Sequence, residues 1–168
     1  PALQIAAVSW FMANSRNKNI TVLMPYANSL ASFADWYRQL WAESLGKRFN
    51  FNGEEVFVGQ TPVKALGATD QHSQIQLYRE GPNDKLITFI EVESFRFGGP
   101  MNNAPENTPL ENMRLLDSGE ILNIELEGTR GALTESQRPN LTIRVPAVTP
   151  HVMGQLIYLY ELATFYSG

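Results

Sequence analysis

Two groups of polar residues have types and spacings that could do chemistry. Gln39 and Glu43 stand four residues apart, so on a helix they share one face. At 100° per residue that face lies roughly 120–160° from the apolar stripe of the same segment. Glu43 falls three residues before Gly46, in the last turn of a helix that the glycine would stop. A carboxylate there faces the negative end of the helix dipole, which favours taking up a proton and suits a general base. The same pattern also describes a solvated helix face. The second group is Asp70-Gln71-His72. If Thr69 or Asp70 caps a helix, His72 sits in its first turn, where the positive helix end favours a neutral imidazole able to shuttle a proton. A histidine satisfied locally in a cap fits equally well. His151 also opens a helical segment but has no polar constellation beside it, and reads as structural.

The elements that must position these residues follow from periodicity. Residues 2–15 place Leu3, Ala6, Ala7, Trp10 and Phe11 at helical spacing. Ile20–Met24 is a short β-branched run before Pro25, the mark of a buried strand. Ser29–Leu45 is an amphipathic helix with Leu30, Phe33, Ala34, Tyr37, Leu40 and Trp41 on one stripe. Residues 48–68 read as irregular, with a short strand near Val63–Leu66. A helix is predicted from Thr69 or Asp70 to about Arg79, ended by Gly81-Pro82. Lys85–Glu93 reads as a strand and 94–113 as a long loop, a length that is usually functional. Ile121–Gln137 reads as a helix and Leu141–Val145 as a strand. Thr149–Tyr166 reads as a helix with Thr149 as its cap and Pro150 in its first turn. Alternating helices and strands predict an α/β fold on a mostly parallel sheet. Ligands of such sheets bind outside the carboxyl ends of the strands, beside the following helix N-termini.

Composition narrows the chemistry. The 168 residues suit one domain, and 43% hydrophobic against 18% charged residues indicates a globular chain. The net charge of −4 comes without a basic stripe, which argues against a nucleic-acid partner. With no cysteine, disulfides, thiolate metal sites and a cysteine nucleophile are excluded, and two histidines alone predict no dedicated metal site. Ala2–Ala13 lacks the basic region and cleavage site of a signal peptide. The apolar run Val152–Tyr166 is interrupted by Gln155 and Glu161 and falls short of the ~20 residues of a membrane span. No GxGxxG, Walker A, HExxH or GxSxG pattern occurs. Pro1 in place of Met, and an apolar helix running up to Gly168, lead us to expect a piece of a longer chain.

Four stretches resemble the glucose-6-phosphate isomerases. Val22-Leu23-Met24-Pro25-Tyr26 followed by Phe33-Ala34-Asp35-Trp36-Tyr37 is similar to the family's strand-to-helix passage. Gln39-Leu40-Trp41-Ala42-Glu43-Ser44-Leu45-Gly46-Lys47 resembles its Q-x-x-x-E-S-x-G-K motif. Gly67 to Gln74 resembles its segment ending in Gln-His, and Ile157 to Ala163 the helix before its closing lysine motif. The resemblance runs over essentially the whole chain. It implies a sugar isomerase (SIS) domain, a three-layer α-β-α sandwich around a mostly parallel five-stranded sheet. Residues 1–168 would form a single such domain in the C-terminal half of a two-domain, cytoplasmic, homodimeric enzyme. It implies a sugar-phosphate substrate and the exchange of glucose 6-phosphate with fructose 6-phosphate, with no cofactor. Glu43 matches the proton-transfer base, His72 the histidine that helps open the sugar ring from a neighbouring subunit, and Gln39 a substrate-contacting glutamine. The closing lysine motif and the first domain's phosphate loop and arginine are absent from these residues, so the 168 residues alone are expected to be inactive. Two other readings share the resemblance: a dual phosphoglucose/phosphomannose isomerase, and a non-catalytic sugar-phosphate-binding module.

Overall fold

A computed structural model describes residues 1–96, 98–100, 105–109, 111 and 116–168. The elements run α1 (Ala2–Arg16), β1 (Ile20–Pro25), a 3-10 turn (Asn28–Leu30), α2 (Ala31–Leu45), β2 (Lys47–Phe49), β3 (Glu55–Val58) and β4 (Thr61–Lys64). They continue with α3 (Gln71–Glu80), β5 (Lys85–Ser94), α4 (Ser118–Glu135), β6 (Asn140–Ala147) and α5 (Pro150–Ser167). The predicted loop over 94–113 lies partly outside the described residues.

The main sheet has the order β4-β1-β5-β6, and every pairing in it is parallel. Val22 lies between Val63 and Ile87, and Ile87 in turn faces Asn140. Parallel strands are covered on both faces, so their sequences are continuously apolar rather than alternating. In β1, Val22, Leu23 and Met24 are each fully buried. Leu23, Ile90 and Val92 point into a core shared with Phe33, Ala34, Tyr37 and Trp41 of α2 and Leu156 and Tyr160 of α5. Val22, Met24, Ile87 and Phe89 point the other way, toward Tyr78 of α3 and Leu126 and Leu133 of α4. The result is the expected three-layer α/β sandwich.

The sheet departs from expectation in one respect. Five strands were expected, and four form the parallel sheet among the described residues. The remaining strand-forming stretch, read as irregular, folds on itself as an antiparallel hairpin, β2 with β3. Asn50 makes the turn: its Oδ1 accepts the N–H groups of Asn52 and Glu54 at 2.9 and 3.0 Å, and Gly53 adopts φ 81°. Both hairpin strands are exposed throughout, their apolar side chains Phe49, Phe57 and Val58 included, and neither pairs with the parallel sheet. Helix α4 begins three residues earlier than predicted. Asp117 and Glu120 form a capping box, with Gly119 N donating to Asp117 Oδ1 at 2.7 Å and Asp117 N donating to Glu120 Oε2 at 2.8 Å. No helix among the described residues is long and apolar enough to cross a membrane.

Buried tyrosines tie the layers together. Tyr37 Oη donates to Thr21 Oγ1 at 3.0 Å across the α2–β1 seam. Burial raises the hydroxyl pKa of Tyr26, Tyr37, Tyr78 and Tyr160, that of Tyr78 to about 12. The folded chain thus favours the neutral phenols, while an unfolded chain ionises near the ordinary value of about 10. Stability is therefore complete below pH ~10 and is lost as pH rises through the folded values. Denaturant midpoints should hold up to about pH 10 and fall above it; midpoints that stay level as the pH is carried on through about 12 would contradict the assignment.

Candidate active site

Glu43 sits where the motif spacing places it, in the last turn of α2. The apolar stripe Phe33, Ala34, Tyr37 and Trp41 is buried against β1 and α5, which turns Gln39 and Glu43 outward. Both are exposed, and Gln39 Nε2 donates to Glu43 Oε1 at 3.3 Å. Helix α2 runs antiparallel to the strands. Its first turns lie at the carboxyl end of β4, where Asp35 pairs with Lys64 at 2.7 Å, and its last turn lies beside the residues that enter β4. There the helix ends abruptly. Gly46 N still donates to Ala42 O at 3.2 Å, but Gly46 is already extended and leads straight into β2.

A second glycine makes that ending possible. Gly59, in the β3–β4 turn, has φ 135°, and a Cβ on it would stand 3.0 Å from Gly46 Cα and 3.1 Å from Leu45 O. The backbone of the turn therefore rests directly on the backbone of the helix end. A groove of about 500 Å³ opens there, lined by residues including Asn19, Trp41, Leu45, Gly59 and Gln60. Glu43 does not line it, and stands on the outer face beside it.

His72 occupies the first turn of α3, as predicted, and is exposed. The cap differs from expectation. Asp70 holds the N-cap position, but its carboxylate folds back to accept Leu66 N at 2.7 Å and Ser73 Oγ at 2.8 Å, and makes no side-chain cap bond. The residue beside His72 does more than the sequence suggested. Gln71 Nε2 lies 2.6 Å from Tyr26 Oη, 2.6 Å from Thr129 Oγ1 and 3.2 Å from Glu125 O. Thr129 lies 58 residues away in the chain, so no local motif could announce this contact. Helix α3 starts at the carboxyl edge of the sheet. A crevice of about 890 Å³ opens there, its lining including Ala27, Asn28, Ser29, Thr69, Ser94 and Thr149.

Glu43 and His72 are not brought together within one chain. Helix α2 belongs to the layer with α1 and α5, whereas α3 belongs to the layer with α4 on the other side of the sheet. The two residues also lie at opposite edges, because one ends a helix antiparallel to the strands and the other begins one. The expectation that ligands bind at the carboxyl edge fits His72 and not Glu43. Arg144 is paired with Glu91 at 2.9 Å and Arg130 with Glu127, while Arg114 lies outside the described residues. Among the described residues no three His, Cys, Asp or Glu side chains are grouped to hold a metal ion.

No family model matches the chain. Individual relatives do. The glucose-6-phosphate isomerase of Carboxydothermus hydrogenoformans is 47% identical over 167 residues, 98% of this chain and 36% of the relative. That of Rubrobacter xylanophilus is 43% identical over 171 residues, all of this chain and 37% of the relative. A probable glucose-6-phosphate isomerase of Methanococcus maripaludis is 41% identical over 168 residues, all of this chain and 35% of the relative. The chain thus spans little more than a third of the length of these curated relatives. Among solved structures, a hypothetical protein of Thermus thermophilus superposes with a TM-score of 0.82 at 30% identity, over 99% of this chain and 44% of that one. A glucose-6-phosphate isomerase of Chlamydia trachomatis shares the fold, with a TM-score of 0.83 at 19% identity over 99% of this chain and 33% of its own.

The glycine contact yields a prediction about the end of α2. Gly59→Ala forces a side chain into a left-handed backbone and against Gly46, and should cost about 1–3 kcal/mol. Gly53→Ala, at φ 81° with open space around it, should cost less. Urea midpoints of the two variants check this; a Gly59→Ala midpoint equal to wild type would mean the turn does not bear on the helix.

Proposed function

The chain belongs to the glucose-6-phosphate isomerase family as a segment, aligning end to end with about 36% of its relatives' length. From that premise we propose that it is the C-terminal SIS domain of a cytoplasmic isomerase that interconverts glucose 6-phosphate and fructose 6-phosphate. In this reading Glu43 takes the proton from C2 of the opened sugar and returns it to C1. Because the carbons are adjacent and the intermediate cis-enediolate is planar, one carboxylate on one face can serve both. Gln39, hydrogen-bonded to Glu43 at 3.3 Å, holds that carboxylate in line and contacts the substrate. His72 moves the ring proton so that the sugar opens. The phosphate-binding loop, the arginine facing the enediolate charge and the closing lysine have no counterpart in these 168 residues, and the reading assigns them to the remainder of the longer protein.

One observation carries the arrangement. Glu43 and His72 both reach solvent, yet they sit on opposite layers and opposite edges of one sheet. A single site that uses both needs two copies of the chain, one giving Glu43 and its partner giving His72. This supports a homodimer with composite sites.

Two experiments on the full-length protein test the reading. Glu43→Gln should lower kcat by about 10²–10⁴ while substrate binding persists; near-normal turnover would reject Glu43 as the base. Glu43→Gln and His72→Gln chains, each inactive alone, should recover activity when mixed. Random pairing of a two-fold dimer makes about a quarter of all sites intact. No recovery from demonstrably mixed dimers would reject the shared site.

A further inference from the structure

Among the described residues the His72 side chain makes no hydrogen bond of its own, yet its neighbours in sequence are held from several sides. The amide of Gln71 reaches inward to two buried hydroxyls, Tyr26, with no exposed surface, and Thr129, 9% exposed, each 2.6 Å away. Those residues lie just after β1 and within α4. The connection from β4 rests on the same ring, since a Cβ on Gly67 would lie 2.4 Å from Tyr26. Asp70 ties Leu66 to Ser73 across the turn.

Helix α3 needs such a tie. Of its ten residues only Tyr78, near its far end, is buried. The first turn has no buried apolar side chain to anchor it. Without a tie it would fray as exposed helix ends do. An apolar residue of similar length could fill the space under the turn. The amide instead meets two hydroxyls in a geometry with little play, and buried polar contacts of this kind fix one arrangement where apolar ones tolerate several.

We propose that Gln71 is a positioning residue for the ring-opening step, clamping the first turn of α3 to Tyr26 and Thr129 so that His72 is presented outward at a fixed place and angle. The proposal rests on the isomerase reading of His72. It gives the Gln-His pair a division of labour: the histidine faces a sugar held by the neighbouring copy, and the glutamine faces its own core.

The test uses the full-length homodimer and two rates: isomerisation, and anomerisation of glucose 6-phosphate, which requires ring opening but no proton transfer at C2. Gln71→Met keeps the length of the side chain and removes the amide. It should lower both rates roughly 10- to 100-fold, the scale on which about 1 Å of misplacement acts, with KM nearly unchanged. The double variant with His72→Gln should be no slower than His72→Gln alone, because the clamp works only through the imidazole. Tyr26→Phe keeps the ring against Gly67 and removes one hydroxyl. It should lower anomerisation by a smaller factor, again with no further loss on top of His72→Gln, and it decides the matter if Gln71→Met is poorly folded. If His72→Gln leaves anomerisation intact, the histidine assignment fails and the proposal with it. If His72→Gln slows anomerisation while folded Gln71→Met or Tyr26→Phe does not, the clamp alone is overturned.

Discussion

A parallel sheet presents two apolar faces, and each must be roofed by helices before the backbone can leave water. Strand β1 embodies the demand. Three successive residues, Val22, Leu23 and Met24, are fully buried while their side chains point alternately to opposite sides. The connection from β1 lays α2 on one face, and the connection from β4 lays α3 on the other. Glu43 and His72 are attached to those two roofs, so the sheet that gives each of them a rigid base also holds them apart. The composite site we propose is one answer to that layering: surfaces that one copy does not bring together, two copies could.

Much of this was legible in the residues. The stripe of Phe33, Ala34, Tyr37 and Trp41 marked α2 and its buried side, and therefore which way Gln39 and Glu43 would point. Runs of β-branched residues marked the central strands, and Thr149 with Pro150 marked the start of α5. The hairpin was missed because its strands are exposed on both faces and show no alternation, although Asn52-Gly53 is a recognised turn signal between them. The early start of α4 lay in the Asp117-Glu120 capping pair, a four-residue signal that the apolar periodicity beginning at Ile121 overshadowed.

The candidate site was legible as residue types and not as geometry. Spacing placed Glu43 and His72 in the correct turns of the correct helices. It could not say that those turns lie on opposite sides of the sheet, because that depends on the face each crossover takes. Nor could it reveal the partners of Gln71, since Tyr26 and Thr129 are 45 and 58 residues distant and only the strand order brings them together. Asp70 looked like an ordinary helix cap, and its carboxylate was drawn instead to the backbone of Leu66. A cap is a local choice among competing donors, and the bend at Leu66 supplied a competitor that the linear sequence hides.

The two glycines of the β2–β3–β4 region divide that protrusion into halves with contrasting engineering tolerance. Around Gly53 there is nothing for a new atom to strike, whereas Gly59 touches the helix that carries Glu43. The tip is thus a natural splice point, where a peptide tag or a reporter can be grafted with its strain absorbed by the solvent-facing ribbon. The root acts as a fulcrum: added bulk there is transmitted to the final turn of α2.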